Sequence, residues 1–175
     1  MSNRQIVIDA IRDVQDFPKP GILFKDITPV MEVPAAYSAA VDGLKDLIAD
    51  VPFDKMAAIE SRGFLFGGPL SLDLVKPLAL LRKAGKLPAA TRSVTYSLEY
   101  GEATLEAHLD SFSPGEKVLI VDDLLATGGS ALASAQLVQD SGAEVVGFLF
   151  LVELDFLEGR DKLTATAPVF SLVNF

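Results

Sequence analysis

Lys117-Val118-Leu119-Ile120-Val121-Asp122-Asp123-Leu124-Leu125-Ala126-Thr127-Gly128-Gly129-Ser130 is the stretch on which the reading of this chain turns. Val118 to Val121 is an apolar run rich in β-branched residues. Such a run reads as a strand buried on both faces, which a parallel sheet covered by helices provides. Asp122 and Asp123 then fall at the strand's C-terminal end, where open α/β sheets bind their ligands. Beyond them, two glycines permit a tight turn that exposes backbone N–H groups, and such groups at a helix N-terminus suit a phosphate. An acid pair after a strand is by itself equally a solvated strand end or a helix cap. Carboxylates beside a phosphate nest repel the phosphate and suit hydroxyls or a bridging Mg²⁺. The ligand expected here carries a phosphate at one end and a diol beside it, as a ribose 5-phosphate does. Neither G-x-x-x-x-G-K-[ST] nor G-x-G-x-x-G is present, so a P-loop or dinucleotide site is not supported.

Outward from this stretch, strands alternate with helices. Val7, Ala10, Ile11 and Val14 follow helical spacing and predict a first helix. Asp16-Phe17-Pro18-Lys19-Pro20-Gly21 predicts a turn or extended arm leading to Ile22 through Ile27. Tyr37, Ala40, Val41, Leu44, Leu47 and Ile48 form a helical stripe, with Pro34 at its start and Pro52 beyond its end. Met56 to Ile59 reads as a strand delivering Glu60-Ser61-Arg62-Gly63, followed by a buried helix through about Val75. Pro77 to Leu81 reads as another strand, carrying Arg82-Lys83-Ala84-Gly85-Lys86. Val94 to Leu109, about Tyr100-Gly101, reads as a hairpin or flap. After Ser130, a helix through Val138 ends at Gly142. A central strand at Ala143 to Val152, a short helix near Leu157 to Lys162 and a last strand near Val169 to Val173 complete the pattern. The fold expected is α/β: one domain with a mainly parallel, doubly wound sheet and helices on both faces.

The 175 residues allow one domain with a substantial core. Half the residues are hydrophobic and none is cysteine, which excludes disulfides, thiolate metal sites and a cysteine nucleophile. A net charge of −9 argues against a nucleic-acid partner. No apolar run reaches the roughly 18 residues of a membrane span, and Met1 to Ala10 lacks the apolar centre of a signal peptide. A cytoplasmic protein with no membrane partner is therefore expected. The lone His108 excludes a three-histidine metal site within one chain and reads as a surface residue.

Val118 to Ser130 resembles the phosphoribosyl-pyrophosphate (PRPP) signature of the type I phosphoribosyltransferases: an apolar strand, two acids and an A-T-G-G-[ST] turn. Four further blocks are similar to the adenine-specific branch of that family: Phe17-Pro18-Lys19-Pro20-Gly21 with Phe24-Lys25-Asp26-Ile27, Glu60-Ser61-Arg62-Gly63-Phe64, Arg82 to Pro88, and Tyr96 to Gly101. They occur in the family's order and span nearly the whole chain. The resemblance implies the family's fold, with residues 1–33 as an N-terminal arm and base-binding hood and residues 91–110 as a flexible flap. It implies transfer of the 5-phosphoribosyl group from PRPP to adenine, giving AMP and pyrophosphate, in purine salvage.

The same resemblance implies roles for particular residues. Asp122 and Asp123 would bind the ribose hydroxyls and stabilise positive charge at C1. Ala126, Thr127, Gly128, Gly129 and Ser130 would hold the 5-phosphate, with Ser130 replacing the common threonine. Arg62 would contact pyrophosphate, beside a loop in which the family often has a non-proline cis peptide. Lys83 and Lys86 would reach the pyrophosphate of a neighbouring subunit, which requires a homodimer. Taken alone, these cations read as a solvated turn. Phe24 would lie against the purine, whose edge meets backbone groups near Leu23 and Lys25, with Leu124 on the other face. Lys25 departs from the arginine frequent in the family. Glu99 would shuttle the proton, and Mg²⁺ would be held mainly through PRPP and water rather than by a dedicated protein site. Another purine base, a non-catalytic nucleotide-sensing module and a phosphoacceptor receiver domain stand as alternative readings of the same strand and acids.

Overall fold

The computed structural model describes residues 1–97 and 101–175 of the chain. The expected tail of the first helix is not helical. Helix α1 spans Asn3–Ala10 and is capped by Ile11. Val14 instead lies in β1, Arg12–Gln15, which pairs antiparallel with β2, Leu23–Asp26. Helical spacing over so few residues cannot outweigh an antiparallel ladder to the next strand, supported here by the Arg12–Asp26 ion pair at 2.5 Å. The turn between β1 and β2 contains a cis Phe17–Pro18 peptide bond. A short helix not read from the sequence, α2, Thr28–Glu32, follows, and α3, Pro34–Leu47, takes Pro34 in its first turn.

The main sheet is built from β3 (Lys55–Ile59), β4 (Leu78–Lys83), β5 (Thr91–Ser97), β6 (Glu102–His108), β7 (Lys117–Leu125), β8 (Glu144–Glu153) and β9 (Val169–Asn174). Among the described residues its order is β5-β6-β4-β3-β7-β8-β9. The β4-β3-β7-β8-β9 portion is parallel throughout. β5 and β6 extend it antiparallel beyond β4. The interior residues of β3, β7 and β8 are buried almost without interruption, as strands covered on both sides require.

One face packs on α1, α3 and α4 (Gly63–Leu74) through Val7, Ala40, Leu44, Phe66 and Leu70. The other packs on α5 (Gly129–Asp140) and α6 (Gly159–Thr164) through Ala131, Ala135, Leu137, Val138 and Leu163. The sheet is therefore doubly wound, as the sequence pattern implies. β7 is longer than its apolar run: it continues through both aspartates to Leu125. Consecutive strands leave β3 on one side for β4 and on the other for β7. The C-terminal ends of β3 and β7 therefore flank the topological switch point, where such sheets open a crevice.

α4 starts directly at that crevice and lies very close to β3. A Cβ added at Gly67 would sit 2.8 Å from the Ala58 Cβ. Gly67→Val should overpack this seam and lower stability by more than about 2 kcal/mol, a fall of roughly 4 °C or more in Tm. Thermal unfolding followed by circular dichroism measures it; an unchanged Tm would mean that the contact does not limit the approach of α4.

Candidate active site

The crevice is lined by the two loops that flank the switch point. On the β7 side, Asp122, Leu124, Ala126, Thr127, Gly128, Gly129 and Ser130 border a cavity of about 210 Å³, with Ser97 from β5 opposite. Gly128 holds φ +82°, a left-handed conformation that favours glycine, and caps α5. The turn after the acids thus leads directly into a helix N-terminus of twelve residues, the arrangement that suits an anion. Tyr96 reaches across from β5: its hydroxyl lies 3.1 Å from Ser130 Oγ.

A second cavity of about 400 Å³ is lined by Glu60, Ser61, Arg62, Lys83, Asp122, Asp123, Leu124 and Ser130. It shares Asp122, Leu124 and Ser130 with the first, so the two adjoin along the β7 loop. The Glu60–Ser61 peptide bond is cis, in the loop where the family resemblance implies one. Gly63 lets the start of α4 close on β7, since a Cβ there would meet Asp122 Oδ1 at 2.9 Å.

Glu60 organises the facing loop. Its Oε2 accepts from the Lys83 backbone N–H at 3.0 Å and from Arg82 Nε at 3.2 Å. Burial alone would raise its pKa, but these donors hold it below the ordinary value. Arg82 also donates to the Lys86 carbonyl. The Arg82 side chain is thus structural, Lys83 borders the cavity of its own chain, and Lys86 is exposed.

The two aspartates are the electrostatic centre. Asp123 is almost fully buried, and its Oδ2 lies 2.8 Å from Arg62 Nε, whose side chain remains 47% exposed. The pair lacks hydrogen-bond alignment at that oxygen, so it is an ion pair by proximity. Asp122 Oδ1 accepts from the backbone N–H of Asp123. Desolvation raises Asp122 well above the ordinary carboxylate range, and the charge of Asp123 adds to the rise. Desolvation also raises Asp123, with Arg62 opposing it.

A third depression of about 400 Å³ is lined by Val14, Phe17, Phe24, Asp26, Thr28 and Arg62. Arg62 joins it to the second cavity. Phe24 packs edge-on against Phe17, centroids 5.0 Å apart. Leu124 does not line this depression; it borders the other two, so the two expected faces of a base sandwich lie in neighbouring hollows. Lys25 turns its side chain to Asp13 and over the Phe175 ring, leaving only its backbone to serve a base. Leu23 is half exposed at the strand's edge. Asp26 is held at a pKa of about 2, chiefly by hydrogen bonds from Thr28 and Arg12. Glu99 lies outside the described residues.

Glu60, Tyr96 and Ser97 border or shape the site without having been singled out from the sequence. The Tyr96 to Gly101 and Glu60 to Phe64 blocks contain all three, but only the fold tells which side chains face the crevice.

A parallel sheet of this order, with an acid pair at the switch point and a glycine-turn anion nest beside it, defines the phosphoribosyltransferase class. Residues 35–169 match the family model of the phosphoribosyl transferase domain. An adenine phosphoribosyltransferase of Kosmotoga olearia is 53% identical over 156 residues, covering 89% of this chain and 92% of the relative. The crystal structure of the adenine phosphoribosyltransferase from Thermoanaerobacter pseudethanolicus superposes with a TM-score of 0.94 at 47% identity, covering 98% of this chain and 99% of that one. The Saccharomyces cerevisiae adenine phosphoribosyltransferase, crystallised with adenine and an imino-altritol bisphosphate, gives 0.90 at 40% identity, covering 97% and 98%. The chain belongs to the adenine phosphoribosyltransferase family.

The raised carboxylates make a stability prediction. A group whose native pKa lies above its unfolded value favours folding fully only below the unfolded value, and that contribution is lost as pH rises through the native one. At pH 7 the desolvated carboxylates therefore burden the fold. Asp122→Asn should raise Tm at pH 7 by at least about 2 °C, with the gain vanishing near pH 4 as the wild-type carboxylates take up protons. A Tm lowered at pH 7, or a gain independent of pH, would contradict the desolvated pair.

Proposed function

We propose that the chain catalyses transfer of the 5-phosphoribosyl group from PRPP to N9 of adenine, giving AMP and pyrophosphate. One observation supports the assignment of residues: the acid pair and the glycine turn border adjoining cavities, and Arg62 borders both the second of these and an aromatic hollow. Ala126 to Ser130 hold the 5-phosphate through backbone N–H groups and the hydroxyls of Thr127 and Ser130. Asp122 and Asp123 take the ribose hydroxyls. Arg62 and Lys83 face the pyrophosphate, and the purine lies at Phe24, against the backbone of Leu23 and Lys25, with Leu124 toward the ribose side. The relative from S. cerevisiae, bound to adenine together with a bisphosphate, supports this division into a base end and a phosphate end.

In the reaction N9 forms a bond to C1 of the ribose as the bond from C1 to the pyrophosphate oxygen breaks, with inversion at C1. The electron pair leaves with pyrophosphate, and the imidazole proton of the base passes to Glu99. Positive charge accumulates at C1 in the transition state, and the negative charge of the Asp122–Asp123 pair stabilises it. Holding the two reactants in line supplies much of the remaining acceleration. Closure of the residue 91–110 flap excludes water that would hydrolyse PRPP.

The second cavity is lined by two cations, Arg62 and Lys83, against three carboxylates, Glu60, Asp122 and Asp123. A pyrophosphate bound there needs further positive charge. The all-oxygen donor set of Asp122 and Asp123 fits Mg²⁺, with PRPP and water completing its shell. Among the described residues there is no cluster of three metal-ligating side chains. When bound, Mg²⁺ supplies charge neutralisation to the leaving group. The exposed Lys86 of a second copy supplies the rest in a homodimer. Exposed Leu65, Leu72, Val75 and Leu80 favour such an assembly. Among the described residues no helix is long and apolar enough to cross a membrane. We place the enzyme in the cytoplasm and assign it to purine salvage.

An assay with PRPP, Mg²⁺ and each purine base in turn should give AMP from adenine at a kcat/KM at least about 100-fold above that for hypoxanthine or guanine, a gap like that of a site that hydrogen-bonds its substrate's edge. Comparable turnover of the other bases would reassign the specificity. Asp122→Asn combined with Asp123→Asn should abolish turnover while leaving the circular dichroism spectrum unchanged; near-normal AMP formation would remove both residues from the chemistry. Glu99→Ala should lower kcat more than it raises KM, and an unchanged kcat would exclude Glu99 from proton transfer.

A further inference from the structure

The phosphate nest is braced from behind by a segment that does not line the cavity. After β8, a 3₁₀ turn at Asp155–Leu157 leads into α6, and Gly159 at its start is buried against the nest. A Cβ at Gly159 would lie 2.1 Å from the Ala126 carbonyl oxygen, and one at Gly128 would lie 3.0 Å from the Gly159 carbonyl oxygen. Two backbones thus meet with no room for a side chain between them. One turn further on, Lys162 Nζ donates to the Thr127 carbonyl at 3.0 Å.

α6 is itself anchored to the sheet. Arg160 donates from Nε to Glu153 Oε1 at 2.8 Å, from its terminal nitrogen to Glu153 Oε2, and from Nη1 to the Val169 carbonyl at 2.8 Å. Ser171 and Asn174 donate to the same Glu153 oxygen. Glu153 is only 3% exposed while the Arg160 side chain is 37% exposed; the pair is bidentate, and its buried carboxylate is saturated with donors, which fixes its geometry. Buried Leu163 closes the packing of α6 on the sheet.

We propose that Gly159 and Lys162 are positioning residues for the phosphate nest, held in place by the Glu153–Arg160 pair. The Thr127–Gly128 peptide is trans, so its C=O and N–H point in opposite directions. Tying the Thr127 oxygen to Lys162 keeps that oxygen on the α6 side and turns the Gly128 N–H away from it, toward the cavity that Gly128 lines. Without the tie the peptide is free to rotate and place a carbonyl oxygen against the phosphate, where the two repel. The lysine ammonium adds a favourable charge behind the nest as well. This inference rests on the reading of Ala126 to Ser130 as the phosphate site.

The test compares ligands with and without the ribose 5-phosphate. Lys162→Met, an exposed substitution, should weaken AMP binding about 10-fold by calorimetry and raise the KM for PRPP similarly, while the KM for adenine and kcat stay within about two-fold. Lys162→Arg should restore most of the loss, because it keeps both donor and charge. Gly159→Ala should show the same selective loss more strongly. The double variant Thr127→Val with Ser130→Ala separates the two claims. If it weakens AMP binding but Lys162→Met and Gly159→Ala do not, the nest stands and the brace is overturned. If the double variant leaves AMP binding unchanged, the nest assignment itself falls. Equal losses for AMP and adenine in Lys162→Met would reduce Lys162 to a general structural role and also overturn the proposal.

Discussion

Two carboxylates held side by side at the end of a buried strand are the costliest feature of this molecule, and the rest of the site is arranged around them. Desolvation pushes both toward the protonated state, and the charge of Asp123 adds to the rise at Asp122. Arg62 and the backbone N–H of Asp123 offset that tendency only in part. A fold gains nothing from such a pair by itself. What it gains, on the function proposed, is a centre of negative charge where a sugar carbon becomes positive. The placement follows from topology, since β7 is one of the two strands flanking the switch point and its C-terminal end necessarily opens into the crevice.

Each loop around the pair is fixed by a polar anchor set back from the chemistry. Glu60 gathers the Lys83 backbone and Arg82, which sets the wall opposite the acids. Glu153 gathers Arg160, Ser171 and Asn174, which sets α6 behind the phosphate nest. Tyr96 links the antiparallel extension to Ser130. The cations that line the second cavity, Arg62 and Lys83, are by contrast exposed. Rigid anchors and exposed reactive groups divide the work: the first keep backbone N–H groups aimed, and the second remain available to the ligand.

Much of this was legible in the sequence because parallel strands are apolar on both faces and short. Val118 to Val121, Met56 to Ile59 and Ala143 to Val152 announce themselves by composition, and the acids and glycines that follow them mark the crevice. The N-terminal region was less legible. Val14 fits a helical period as well as a strand, and only pairing with Leu23–Asp26, set by long-range packing, decides between them. The length of β7 beyond Val121 was hidden because polar residues at a strand end look like a loop. The supporting residues were least legible. Glu60, Tyr96 and Lys162 are ordinary polar residues until the fold brings them to a loop far away in sequence. Phe24 and Leu124 were expected to face each other across a base but occupy neighbouring hollows, since β2 belongs to a separate small sheet.

The central claim is that the acids and the nest together hold one ribose 5-phosphate unit. A crystal structure of the chain with AMP tests it most directly. The account predicts the phosphate within hydrogen-bonding distance of the backbone N–H groups of residues 127–130, the ribose hydroxyls on Asp122 and Asp123, and the adenine ring against Phe24. A phosphate seated instead on Arg62 or Lys83, or ribose hydroxyls that touch neither aspartate, would contradict it.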